Sequence, residues 1–232
     1  MKKIRDIIII FLLLVFVIFT KGQEIQQMKV HKNGNILYNT KLSTTDAIFF
    51  SAFKVPNSST GVLINGVVWA CCNVDTPGTF ASHPSASGML YQWNRCVGWS
   101  STDPLVNHEG GTTWDDSVPT GDTWEEDPCP KGWRLPTWEE VRNLVRSNNF
   151  EGELNGVNGR FFGAGDQRVF LPAAGIRLTS NALLYHGWGF YWSSTSNGGA
   201  SAYAIYFEIG GSIEGSSNGS RNAGYSVRCV SE

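Results

Sequence analysis

DPCPKGWRLPTWEEV, residues 127–141, carries the strongest local signal in the chain. Within it, Pro136-Thr137-Trp138-Glu139-Glu140 opens a helix. The Thr137 hydroxyl is placed to cap the unpaired backbone N–H groups of the first turn, and Glu140, three residues on, to reach back to the Thr137 amide. Trp138, Val141, Leu144 and Val145 then recur at helical spacing. This spacing predicts a helix running to about Ser147 with one apolar face in the core.

Upstream, Val97 to Asp127 is irregular, with Trp99, Trp114 and Trp124 set among Asp103, Asp115, Asp116, Asp122, Glu125, Glu126 and Asp127. Tryptophans at this density predict a long acidic loop that is packed down onto the domain. SGMLYQWNR (87–95) places Met89, Leu90 and Trp93 on one side of a short second helix. GVLINGVVW (61–69) sets Asn65-Gly66 between two apolar runs, which predicts a hairpin. Downstream of a glycine-rich stretch, RVFLPA (168–173) and GFYWS (189–193) read as strands. AYAIYFEI (202–209) alternates, with Tyr203, Ile205, Phe207 and Ile209 facing one way and Ala204, Tyr206 and Glu208 the other, one face core and one wet. A polar stretch, Glu214 to Ala223, expected as turns left free at the surface, separates it from a closing strand, YSVRCV (225–230).

The N-terminus reads Met1, Lys2, Lys3, Ile4, Arg5, then an apolar run from Ile7 to Phe19 that ends at Thr20, Lys21 and Gly22. This is the layout of an export signal over 1–22, and the run falls short of the ~20 apolar residues that a spanning helix needs. No membrane insertion is expected once it is cleaved. MKVHKNGNILYNTKL around Asn33-Gly34 predicts a small β-hairpin, and KVPNSST (54–60) a linker. The organisation is therefore signal 1–22, hairpin segment and linker 23–60, and one main domain 61–232. Removing Lys2, Lys3, Arg5 and Lys21 from 18 basic residues, and Asp6 from 20 acidic ones, leaves 14 and 19, a formal charge of −5. That balance speaks against a nucleic acid partner, which calls for a basic stripe. Cys71, Cys72, Cys96, Cys129 and Cys229 all follow the signal, where export lets disulfides persist, and their odd number leaves at least one thiol.

VVWACCNV, GMLYQWN, DPCPKGWRLPTWEEV, FLPAAGIR, GFYWSST and GYSVRCV, in that order, resemble the Fibrobacter succinogenes major paralogous domain, a secreted bacterial module. The resemblance covers roughly 61–232. It implies an α+β, C-type-lectin-like fold: a twisted antiparallel sheet, two helices, long loops, and chain ends brought together. Ends that meet favour a Cys129–Cys229 disulfide, worth roughly 2–4 kcal/mol, with Cys72–Cys129 as the rival pairing. The same fold is distantly similar to sulfatase-modifying (formylglycine-generating) oxidases, but their RGGSW strand is absent and Cys229 is the only cysteine in the last hundred residues.

No catalytic set emerges. His31, His83, His108 and His186 are scattered, with no His-Glu-x-x-His pair. Asp115-Asp116 and Glu125-Glu126 could serve calcium or acid–base chemistry but read equally as a solvated loop, so no metal or cofactor is expected. The candidate ligand contacts are Tyr206, Glu208, Ser212, Glu214, Ser217, Asn218, Ser220 and Asn222, an adaptable Tyr/Ser/Asn surface, together with Trp188. The stretch also resembles the variable region of retroelement-diversified proteins. Those systems vary Asn codons at adenine, however, and Glu208 and Glu214 are not reachable that way, which favours a fixed paralogue. The expectation is a secreted or cell-surface adhesion module that is not an enzyme and recognises an extracellular protein or glycan. A subunit of a fimbria-like surface assembly and an oxidase of the sulfatase-modifying kind are the alternatives.

Overall fold

A computed structural model describes residues 28–32, 35–40, 61–178 and 183–232. The expected signal (1–22), the Asn33-Gly34 turn and the linker (54–60) lie outside them. The described strands are β1 Met28–Lys32, β2 Asn35–Thr40, β3 Val62–Ile64, β4 Val67–Trp69, β5 Leu90–Gln92, β6 Gly98–Trp99 and β7 Trp133–Arg134. Helix α1, Trp138–Val145, follows. After it come β8 Asn149–Leu154, β9 Val157–Ala164, β10 Gln167–Pro172, β11 Ile176–Arg177, β12 Leu183–Leu184, β13 Trp188–Ser196, β14 Ser201–Glu208, β15 Ile213–Ser220, β16 Gly224–Ser226 and β17 Val230–Ser231. The strands form three sheets, ordered β1-β2-β8-β9-β10, β3-β4-β17-β7, and β12-β11-β16-β13-β14-β15, with β5 and β6 added at β16. No helix among the described residues is long and apolar enough to cross a membrane.

This corrects the α+β expectation: the described fold is almost entirely β, with a single eight-residue helix. The missing second helix is the GMLYQWN segment, which enters the sheet as β5 between β16 and β6. Three consecutive residues of β5 are buried, and a run that short and that apolar has no period to tell strand from helix. Gly88 closes the helical option. Its φ of +65° lies in the left-handed region, and a Cβ there would stand 2.2 Å from the Val74 carbonyl oxygen. The glycine-rich stretch after the helix, which offered no strand pattern, is β8 and β9. There Gly159 lies so close to β10 that a Cβ would meet the Leu171 carbonyl at 2.4 Å.

Helix α1 begins as its capping box predicts. Thr137 Oγ1 accepts from the Glu140 amide at 3.3 Å, and Glu140 accepts from the Thr137 amide at 2.7 Å. Val141 and Leu144 are buried between the sheets against Phe162, Val169, Leu171, Ile205 and Phe207, each contributing roughly 1.5–3 kcal/mol. On the far side of β13–β14 a second cluster gathers Trp93, Trp192, Tyr225, Ala202 and Ala204. The two ends of the segment 61–232 meet: Val230 pairs with both Trp69 and Arg134. Cys129 and Cys229 form the disulfide there, while Cys71, Cys72 and Cys96 keep their thiols. YSVRCV is two short strands in two sheets, because the chain crosses from one to the other at Val227 to Cys229.

The loop from Val97 to Asp127 is packed down, with Trp99, Trp114 and Trp124 all buried. Irregular backbone needs partners for its carbonyls, and here arginines supply them. Arg177 donates to Ser100 O at 2.8 Å, Arg221 to Gly121 O at 2.8 Å, and Arg95 to Ser117 O at 3.0 Å. The turn leading to the helix is held by Asp127, which accepts from the amides of Cys129 and Leu135, and by a two-pronged Arg134–Glu140 pair at 2.9 and 2.7 Å. Burial raises the Glu140 carboxyl, but the bonds from Arg134 and the Thr137 amide outweigh it and hold it below the ordinary 4.5. A carboxylate depressed in the folded state stabilises fully above its unfolded value, and that contribution is lost as pH falls through the folded one. Below pH 4.5 the wild type is therefore expected to lose about 1 kcal/mol more than Glu140→Gln. Urea midpoints taken across that range check this, and parallel curves would remove the pair from the stability of the helix start.

Candidate functional site

Strands β13 and β14 pair Trp188 with Glu208, Phe190 with Tyr206 and Trp192 with Ala204, which sets these six side chains on one face of the sheet. Strand β16 runs parallel beside β13 and brings Tyr225 to the same face, its ring 4.0 Å from Trp192 and 5.2 Å from Phe190. The rings continue outward. Phe190 lies 6.0 Å from Trp188 and 5.9 Å from Tyr206, Trp188 and Tyr206 are 5.7 Å apart, and Tyr185 in the preceding turn is 5.8 Å from Trp188. Exposure rises along the row, from Trp192 at 0% through half-buried Phe190, Trp188 and Tyr206 to Tyr185 at 49%.

The alternation expected in AYAIYFEI holds, but the face expected to be wet is core over its first half. Ala202 and Ala204 are buried under the second cluster, whereas Ile205 and Phe207 are buried on the helix side. Tyr206 and Glu208 therefore continue the Ala202–Ala204 face beyond the point where its cover ends. Strand β15 completes the edge. Glu214 pairs with Tyr206 across a register shift, and the Tyr206 hydroxyl donates to its carboxylate, which holds the phenol above its ordinary value.

The structure thus brings together Trp188, Tyr206, Glu208 and Glu214. Ser212 lies in the adjoining turn, its carbonyl accepting from the Glu208 amide at 3.1 Å. The polar stretch from Glu214, expected as free turns, is mostly the edge strand β15, and its register sends the other candidates elsewhere. Asn218 pairs with Tyr203 and Ser220 with Ser201, on the opposite face, and Asn218 accepts from Asn197. Asn222 is a joint between chain segments: its amide donates to Asp116 O at 3.1 Å and its carbonyl accepts from Gln92 at 2.9 Å. Ser217 pairs in register with Ala204. Tyr185 and Phe190 were not singled out by the sequence reading, although the period of two in Trp188, Phe190 and Trp192 signals the latter.

A second concavity of about 500 Å³ opens in the Val97–Asp127 region, lined by Gln92, Asn94, Arg95, Trp99, Asp115 and Glu126 among others. Much of its polar lining is already engaged. Arg95 pairs with Asp115 at 2.7 Å, and Asn94 binds Thr120 O and the Glu125 amide. Hydrogen bonds from Ser117, with the Arg95 charge beside them, hold the Asp115 carboxyl below its ordinary value. Among the described residues no three His, Cys, Asp or Glu side chains converge as metal ligands.

A family model described as Lcl C-terminal domain matches residues 85–231, from just before β5 through β17. No curated protein and no solved structure matches the chain.

Proposed function

The chain belongs to the Lcl C-terminal domain family, and on that premise we propose that it is an exported, non-catalytic binding module that holds an extracellular protein or glycan against the aromatic face of β13 and β14. One observation carries this reading: a row of rings rooted in the core at Trp192 and Tyr225 emerges half-exposed at Trp188 and Tyr206 and ends between two carboxylates. Rings anchored in this way give contact area with little ordering left to do, which favours binding over a merely wet surface. Export is supported by the basic residues and apolar run of 1–22. Kinship with the Fibrobacter succinogenes major paralogous domain is part of the proposal, supported by five of its six motifs lying inside 85–231.

Glycan and extracellular-protein arrays probed with the full chain test the reading. Trp188→Ala and Tyr206→Ala are each expected to weaken the bound partner about 10-fold or more, as for aromatic anchors at an interface. Array profiles identical to wild type in both variants would take the function away from this face.

A further inference from the structure

We infer that what this face receives is a cationic side chain, a lysine or arginine of an extracellular polypeptide, laid over Trp188 and Tyr206 with its charge between Glu208 and Glu214. The inference rests on the binding reading above and narrows its ligand class to one. Four observations support it. The π faces of indole and phenol attract cations through their quadrupole, and the two carboxylates stand directly opposite these rings in the strand pairing, Glu208 against Trp188 and Glu214 against Tyr206. Among the described residues neither carboxylate has an ion-pair partner, whereas Asp115, Glu139, Glu140 and Glu151 all pair with arginines.

The chain also has no cation of its own nearby in sequence to fill the place. Beyond Arg177 the only lysine or arginine side chains are Arg221 and Arg228, both buried with their donors bonded elsewhere, and the one further base is the exposed His186 in the turn before Trp188. Finally, the fold already uses the same pairing internally, with the Arg221 guanidinium 4.2 Å from the centre of the Trp93 ring. An anionic glycan would meet two uncompensated carboxylates here, and a neutral one would gain nothing from their charge.

The probe is an acetylated and amidated peptide of alternating glycine and lysine, compared with the same peptide carrying acetyl groups on every lysine amine. Each is titrated into the full chain. The readout is the indole N–H resonance of Trp188, assigned by its disappearance in Trp188→Phe. A saturable shift is expected with the lysine peptide, weakened about 10-fold by lysine acetylation and likewise by Glu208→Gln with Glu214→Gln. Equal shifts with the acetylated peptide, undiminished binding by the double glutamine variant, or no shift up to about 10 mM peptide would each overturn the inference. If that happened while an array partner was still lost on Trp188→Ala, the binding reading would stand with a different ligand class. If neither responded, the binding reading would fall as well.

Discussion

Arg228→Met is expected to destabilise the fold by about 3–5 kcal/mol, enough to leave little native protein in a domain of ordinary stability. Arg228 is 1% exposed and stands where the chain crosses from β16 to β17. Its donors are fully used: Nε and Nη2 to Asn73 Oδ1 at 3.0 and 2.8 Å, Nη1 to Ala70 O and Cys71 O at 3.0 Å each, and Nη2 to Phe170 O at 2.9 Å. Among the described residues no carboxylate pairs with it. The nearby acids stay neutral, because burial pushes the Tyr191 phenol up to about 12 and raises the Cys71 and Cys72 thiols. The charge is therefore solvated by dipoles alone, and the dipoles belong to two separate segments of chain, 70–73 and β10 at Phe170.

Methionine fits the volume but strands four acceptors, each costing about 1–3 kcal/mol when buried without a donor, and the relief from no longer burying a charge offsets only part of that. Lysine keeps the charge but gathers its donors at one point, so it cannot reach Asn73 on one side and the Ala70 and Phe170 carbonyls on the others. Both variants are expected to unfold at markedly lower urea. A methionine variant with the wild-type midpoint would show that the carbonyls find other partners and that the crossing does not depend on Arg228.

The parts of the fold that were legible in the sequence are the local ones. The start of α1 is written in three adjacent positions, since Thr137 and Glu140 satisfy each other's backbone without help from the rest of the chain. The β3–β4 turn at Asn65-Gly66 is local in the same sense. The guanidinium clamps were not legible, because Arg177, Arg221 and Arg228 reach carbonyls 77, 100 and 158 positions away, and nothing beside an arginine in sequence shows that it is to be buried. The GMLYQWN helix failed for a related reason: three residues buried on both faces carry no period, and what makes them a strand is β16, over a hundred residues downstream.

The site divides along the same line. Tyr206, Glu208 and Trp188 share a face because strand pairing is periodic, and that much follows once β13 and β14 are strands. Reading Glu214 to Ala223 as free turns hid the alternation of β15, which sends Asn218 and Ser220 to the opposite face. The core-to-surface gradient of the ring row was equally hidden, because cover over Ala204 and its absence over Tyr206 come from a tryptophan cluster whose members lie far apart in the chain.

Removing the Cys129–Cys229 bridge, by Cys129→Ala with Cys229→Ala, is expected to cost about 3–5 kcal/mol and lower the melting midpoint by roughly 10–15 °C. The bridge spans 100 positions, a loop whose closure removes much of the freedom of the unfolded chain. What it secures in the folded state is slight by itself. Strand β17 has two residues and is held by single pairings of Val230 to Trp69 and Arg134 and of Ser231 to Trp133, with one further bond from the Glu232 amide to Gly132 O. Without the bridge the closure rests on those few hydrogen bonds, on the Ala70 amide to Cys229 O at 2.9 Å and on the Arg228 contacts just upstream, so the last residues should open before the rest, and amide exchange at Val230 to Glu232 should quicken ahead of global unfolding. Cys96→Ala is the control, because Cys96 keeps its thiol and should leave the midpoint within about 1 kcal/mol of wild type. If the double variant melted with the wild type and its terminal amides stayed protected, the buried side chains of Val227 and Val230 would be the true fastening, and the bridge would be redundant to a closure that packing had already made.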